Sequence, residues 1–169
     1  MKAAFKLIER IAFYMHVLSG FFIVSMMFVT LADVITRALF KATDGSVDFT
    51  FLGGVELIKY GLLFMVLFTL PYTVAKSQII VDLFTEKMSE KTKVALEAFY
   101  IFGYTLLGSG MTYRFLIAIE EAKVSGESTQ DLMIPLYYIY SITAFGTFML
   151  ALMAVVEGVK LLCPKRLAA

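Results

Sequence analysis

LADVITRALF (residues 31–40) and GGVELIKYGLLFMVLFTLPYTVAKSQIIVDLF (residues 53–84) decide the fold of this chain. In both stretches, ionisable side chains stand near the ends of apolar runs: Asp33, Arg37, Glu56, Lys59, Lys76 and Asp82. An ionised group without a partner inside a bilayer costs several kcal/mol or more. We therefore expect these charges to reach the headgroup region or to meet partners.

The composition places the chain in the membrane class. Of its 169 residues, 60% are hydrophobic, and they are gathered in four long segments, at residues 11–32, 57–75, 94–113 and 132–156. A helix needs about 20 apolar residues to cross the hydrocarbon core. We predict an all-α integral membrane protein with four transmembrane helices in a single domain, residues 1–169. The first segment is too long for a signal-peptide core, so we expect it to be retained as a helix.

Lysine and arginine are distributed unequally between the two sides of the predicted bundle. The two tails and the loop between spans two and three hold ten of them, and the other two loops hold four. Because cytoplasmic loops carry the excess of Lys and Arg, both termini are predicted to be cytoplasmic.

Two segments have the pattern of short interfacial amphipathic helices. Residues 1–10 and 79–88 each place apolar side chains on one helical face and charges on another. Both are expected on the cytoplasmic leaflet. For residues 1–10, a plain extension of the first span is an equal alternative.

The sequence lacks the common motifs of catalytic, metal-binding and nucleotide-binding sites. It contains no HExxH, CxxC, GxSxG or P-loop pattern, and it has one histidine and one cysteine. We therefore expect no catalytic, cofactor-binding or metal-binding residue and no enzymatic activity. His16 relays protons or, in the simpler interpretation, bonds a neighbouring carbonyl or faces headgroups. Cys163 is a spare thiol or a palmitoylation site.

The middles of the predicted spans hold no charge. Small residues there form a column, Thr143, Thr147 and Ala151, and a glycine face, Gly103 and Gly110, both of which indicate close packing between helices.

The charges at the span ends are spaced for pairing along a helix. Asp33 and Arg37 stand at i,i+4, and Glu56 and Lys59 at i,i+3. Either these charges form intrachain ion pairs, or some of them meet a second membrane protein.

The run from Asp33 to Phe84 resembles the small membrane subunit (DctQ-like) of tripartite ATP-independent periplasmic (TRAP) transporters. The resemblance lies in three elements in order: the Asp-Val-Ile-Thr-Arg of residues 33–37, Glu56 within Gly-Val-Glu-Leu, and a basic residue, Lys76, followed by a short stretch that ends in Asp82-Leu83.

This resemblance implies a function that composition alone does not. Such a subunit pairs with a large membrane subunit, which carries the substrate and sodium sites and moves like an elevator, while a periplasmic binding protein delivers an organic acid. The small subunit acts as a static scaffold in the bacterial inner membrane and helps to dock the binding protein. The resemblance implies no cofactor in this chain and no nucleic-acid partner. The six charges are candidates for subunit contact or membrane anchoring.

The alternative hypothesis is a self-contained small transporter or channel that acts as a homo-oligomer. It requires a charged or polar site at the membrane midplane. The sequence offers no clear one.

Overall fold

The computed structural model of the chain describes residues 2–46, 48–49, 51–74 and 89–162. Over these ranges the chain forms four helices and no β-strand: α1 Lys2–Ala42, α2 Gly54–Val74, α3 Glu90–Ser125 and α4 Leu136–Leu162. All four are long and apolar enough to cross a membrane. Over the described residues, the prediction of four helices long and apolar enough to cross a membrane, with no strand, is confirmed.

All four helices are longer than their predicted spans, α1 and α3 most of all. The 41 residues of α1 extend about 61 Å, twice the thickness of a ~30 Å hydrocarbon core. Since α1 is continuous from Lys2, residues 2–10 extend the first span and form no separate interfacial helix. The second predicted interfacial segment, residues 79–88, lies outside the described residues.

The ends of α3 are set by local signals in the sequence. Ser89 caps the amino end, where its Oγ accepts a hydrogen bond from Thr92 N at 3.4 Å. Gly126 ends the helix in a left-handed conformation with φ 69°, and its N–H donates to Ala122 O at 3.1 Å. A glycine adopts this conformation without steric cost.

The helices form two hairpins, α1–α2 and α3–α4, which pack together along α2 and α4. Their order across the molecule is α1–α2–α4–α3, so α4 contacts all three other helices while α3 packs mainly on α4. One core cluster joins Met15 of α1 to Leu67 and Phe68 of α2 and Met149 of α4. A second joins Val74, Ile101, Leu150 and Ala154 of the last three helices. The outer faces of α1 and α3 are left exposed.

Small residues allow the closest helix contacts. The predicted column of Thr143, Thr147 and Ala151 is buried in the interior, which confirms its packing role. A Cβ added at Gly108 would lie 2.9 Å from the backbone nitrogen of Ala151, so α3 and α4 touch almost backbone to backbone. The same prediction for Gly103 and Gly110 is wrong within this chain, because no atom lies within 4 Å of a Cβ at either position.

Candidate functional site: polar clamps at the two ends of the hairpins

Glu56 is the most connected charged group at the predicted extracytoplasmic end. It is the third residue of α2, and only 9% of its surface is exposed. Its carboxylate accepts three backbone hydrogen bonds from the α3–α4 loop: from Gln130 N at 3.1 Å, Asp131 N at 3.1 Å and Leu132 N at 2.8 Å. Successive amides directed at one anion form a binding nest, and a charged acceptor strengthens each bond. We call this arrangement the Glu56 clamp.

The α3–α4 loop is shaped to present these amides. Thr129, buried at 3% exposure, accepts a hydrogen bond from Ile134 N through its Oγ1 at 3.0 Å, and its own N–H donates to Ile134 O at 2.9 Å. Leu136 N closes the loop on Glu127 O at 3.0 Å. Within the loop, Met133 adopts a left-handed conformation with φ 53°, which is uncommon for a residue with a side chain. These bonds hold the loop closed and keep its amides directed at α2.

A glycine lets the loop reach α2. A Cβ at Gly53 would overlap the Leu132 side chain, so any larger residue there requires that side chain to move. The loop also explains why α4 begins at Leu136 and not at residue 132, where the sequence predicts the start of span four. The amide of Leu132 donates to Glu56 rather than entering a helix.

Asp33 and Arg37 form the first predicted ion pair. Arg37 Nε donates to Asp33 Oδ2 at 2.8 Å, with the arginine side chain 59% exposed and the aspartate 14%. The other oxygen, Asp33 Oδ1, is buried and has no hydrogen-bond partner among the described residues. It lies 3.1 Å from where a Cβ on Gly54 would be, and thus beside the amino end of α2. The helix dipole favours a negative charge at that position.

Lys59 does not pair with Glu56, so the second intrachain pair is not formed. Both oxygens of Glu56 are already engaged by loop amides, and Lys59 instead lies 5.2 Å from the ring centroid of Tyr60. Lys59 is exposed on α2 and has no carboxylate partner in the part of the chain that the structure describes. Lys76 and Asp82 fall outside the described residues.

A second clamp lies at the predicted cytoplasmic end. Lys160 Nζ of α4 contacts Glu9 Oε1 of α1 at 2.5 Å and Glu157 Oε1 of its own helix at 2.6 Å. We call this arrangement the Lys160 clamp. It connects the first and last helices, so the two hairpins are joined by polar contacts at both ends.

Sequence reasoning missed both long-range contacts. The partners of Glu56 are backbone amides, which have no residue signature. Glu9 and Lys160 stand near opposite ends of the chain. Their only signal is an acid and a base on the same predicted side of the membrane.

Between the clamps, hydroxyl groups join the helices and are internally satisfied. Thr112 Oγ1 donates to Thr147 Oγ1 at 3.1 Å between α3 and α4, and Thr69 Oγ1 donates to Ser19 Oγ at 2.7 Å between α1 and α2. Each of the four hydroxyls also bonds a carbonyl of its own helix. In the described ranges, no group of three or more His, Cys, Asp or Glu side chains is placed to hold a metal ion.

His16 lies in the seam between α1 and α2. Its ring is 4.8 Å from that of Tyr72, and its carbonyl accepts a hydrogen bond from Ser19 Oγ at 2.6 Å. Its Nδ1 is buried without a hydrogen-bond partner, and no described carboxylate lies within ion-pair distance. Among the described residues, these surroundings supply no carboxylate that could act with His16 in a proton relay.

The family model described as "Tripartite ATP-independent periplasmic transporters, DctQ component" matches residues 26–163. Neither a curated protein nor a solved structure matches the chain. The matched range contains Asp33, Arg37 and the complete Glu56 clamp.

Proposed function

This chain belongs to the DctQ family of TRAP transporter components, and from that premise we propose that it is the non-catalytic small membrane subunit of a sodium-coupled importer of an organic acid anion. Its role is that of a static scaffold for the large elevator-type subunit in the bacterial inner membrane. The large subunit supplies the sodium and substrate sites. A periplasmic binding protein supplies the substrate.

The observation that carries the scaffold role is the double attachment of the two hairpins. The Glu56 clamp joins α2 to the α3–α4 loop at one end, and the Lys160 clamp joins α1 to α4 at the other. Movement of one hairpin against the other would remove the loop amides from Glu56 and leave its carboxylate without these partners. A frame that resists such movement suits a transporter whose other subunit moves.

The uncharged middles of the helices support the same role. A transporter that works alone needs ionisable groups or broken helices near the midplane. In this chain the hydroxyls between helices are bonded to one another and to helix carbonyls. The alternative hypothesis of a small homo-oligomeric transporter or channel therefore gains no support from the described residues.

We assign the docking of the binding protein to the end that carries the Glu56 clamp. There the clamp holds Leu52 and Met133 close to the start of α2, and these side chains are 85% and 69% exposed. Apolar groups on rigid loops are suited to contact a partner protein. This assignment requires cytoplasmic termini, the orientation that the lysine and arginine distribution predicts.

Co-purification tests the scaffold role. The chain is co-expressed with its large membrane subunit, extracted in a mild detergent and separated by size exclusion, and we expect the two to elute together. Arg37→Ala should lower the yield of the complex, because it leaves the mostly buried Asp33 carboxylate unpaired. Arg114→Ala is the control, since it also removes an exposed positive charge from the same predicted side. Elution of the unmodified chain as a separate stable species would contradict the proposal.

Two further measurements separate the alternatives. Liposomes that contain this chain alone should show no uptake of organic acid anions, and uptake would favour the homo-oligomeric transporter. Phosphatase fusions should be inactive after residue 88 and active after residue 126. The reverse pattern would overturn the orientation and, with it, the docking assignment.

A further inference from the structure

Two cations stand on the outward face of α1 near its amino end. Lys6 and Arg10 are exposed and are separated by one helical turn, so they share a face. Neither forms an ion pair within the described part of the chain, although Glu9 is adjacent to Arg10 in sequence. Glu9 is engaged by Lys160 on α4 and does not neutralise them.

The opposite face of α1 fixes which way these cations point. Ala12 is fully buried, Met15 is 6% exposed, and Ile8 packs against the core cluster that contains Met15. Together with the contact between Glu9 and Lys160, this packing prevents α1 from rotating about its axis. Lys6 and Arg10 are therefore held away from the other helices.

The position of the cations along α1 matches the headgroup layer. The first predicted span begins at residue 11, which puts Arg10 and Lys6 about 1.5 and 7.5 Å beyond the hydrocarbon edge. The polar layer is itself roughly 5–8 Å thick on each side. Tyr14, 64% exposed, lies one turn below Arg10 on the same face, where aromatic side chains mark the boundary between hydrocarbon and headgroups.

We propose that Lys6 and Arg10 form a binding site for the phosphate of an anionic phospholipid in the cytoplasmic leaflet. The Arg10 guanidinium offers paired N–H donors that match phosphate oxygens, and Lys6 adds a point charge on the same face. The acyl chains lie along the exposed apolar surface below, which includes Tyr14 and Val17. The helix contacts the headgroup from an upright position, because its inner face packs on α2 and α4. This site depends on the predicted orientation and does not depend on a role in transport.

Lipid retention measures the site directly. The full chain is reconstituted in nanodiscs that contain phosphatidylglycerol and phosphatidylcholine, then released into detergent and examined by native mass spectrometry. The unmodified chain should retain phosphatidylglycerol preferentially. The preference should fall about fivefold for each cation replaced by glutamine and about 30-fold for the K6Q/R10Q double variant. The swapped variant K6R/R10K should keep it, which separates loss of charge from loss of folding.

A matched variant and a soluble competitor decide whether the effect belongs to this site. K41Q/K123Q removes the same charge from the other end of the molecule and should leave the preference unchanged. Excess inorganic phosphate should not displace the lipid, and displacement would assign the site to a soluble anion. Full retention by K6Q/R10Q, or equal loss in K41Q/K123Q, would overturn the proposal. So would loss of the lipid when the unmodified chain binds its large subunit, because a protein would then cover this face.

Discussion

The contact of α3 with α4 at Gly108 gives the sharpest quantitative prediction. In Gly108→Ala, the new methyl group would lie 2.9, 3.0 and 3.1 Å from the N, Cβ and Cα atoms of Ala151. Carbon atoms prefer separations of about 3.5–4.0 Å, and two of these three atoms are backbone that no rotamer change can move. Relief requires the helices to separate. Overpacking of this kind costs about 1–3 kcal/mol.

A second glycine on the same helix isolates that cost. Gly110→Ala places its methyl group in open space, with no atom within 4 Å. Both substitutions gain the helix propensity of alanine, about 0.5–1 kcal/mol, so this gain cancels between them. Gly108→Ala should therefore be less stable than Gly110→Ala by about 1–3 kcal/mol.

The assay is reversible unfolding of the isolated chain in mixed micelles, with helix content followed by circular dichroism as SDS is added. The isolated chain is needed because Gly110 is exposed and a partner subunit would add its own contacts. Equal stability of the two variants, or greater stability of Gly108→Ala, would refute the close approach of α3 and α4.

Three further changes test the clamps and the interhelical hydroxyls. Glu56→Gln should speed hydrogen exchange at the three loop amides that donate to the carboxylate, whereas Lys59→Gln should leave them unchanged; unchanged exchange in Glu56→Gln would contradict the Glu56 clamp. Lys160→Met should destabilise the chain by no more than about 1 kcal/mol, because its ion pairs are partly exposed. It should nevertheless increase proteolysis of the amino end of α1, whereas Glu157→Gln should leave that proteolysis unchanged, because the contact between Lys160 and Glu9 remains. Thr147→Val should cost roughly 0.6 kcal/mol in the SDS assay, since Thr112 loses one of its two partners; a cost above about 2 kcal/mol would show that more than this bond is lost.

Much of the fold is predictable because the bilayer imposes a length on each helix. The four apolar runs identify the four helices, and the Ser89 cap and the Thr143 column are local patterns that need no tertiary knowledge. The helix ends are less predictable, because hydropathy indicates where the chain leaves the hydrocarbon core of the bilayer. It does not indicate where the backbone hydrogen bonds of the helix stop. For this reason α1 and α3 continue beyond their apolar segments.

The candidate site was predictable only where both partners lie on one helix. Asp33 and Arg37 satisfy that condition, and their pair is formed. Glu56 was identified correctly as a charge at a span end, but it does not pair with Lys59 at i,i+3. Three backbone amides of the distant α3–α4 loop bind its carboxylate instead. Gly108 packs on α4 and Gly103 and Gly110 do not, because only one side of α3 faces α4. The sequence of α3 alone does not show which side that is.

The central place of α4 has a consequence for biosynthesis. The helix that touches the other three follows them in the chain, so the α1–α2 hairpin enters the membrane before its main packing surface exists. Until residues 130–132 have left the ribosome, Glu56 lacks the amides that donate hydrogen bonds to its carboxylate in the finished protein. A chain that stops before the α3–α4 loop therefore lacks these hydrogen bonds and the packing surface of α4, and we expect its α1–α2 hairpin to be less stable than in the finished protein.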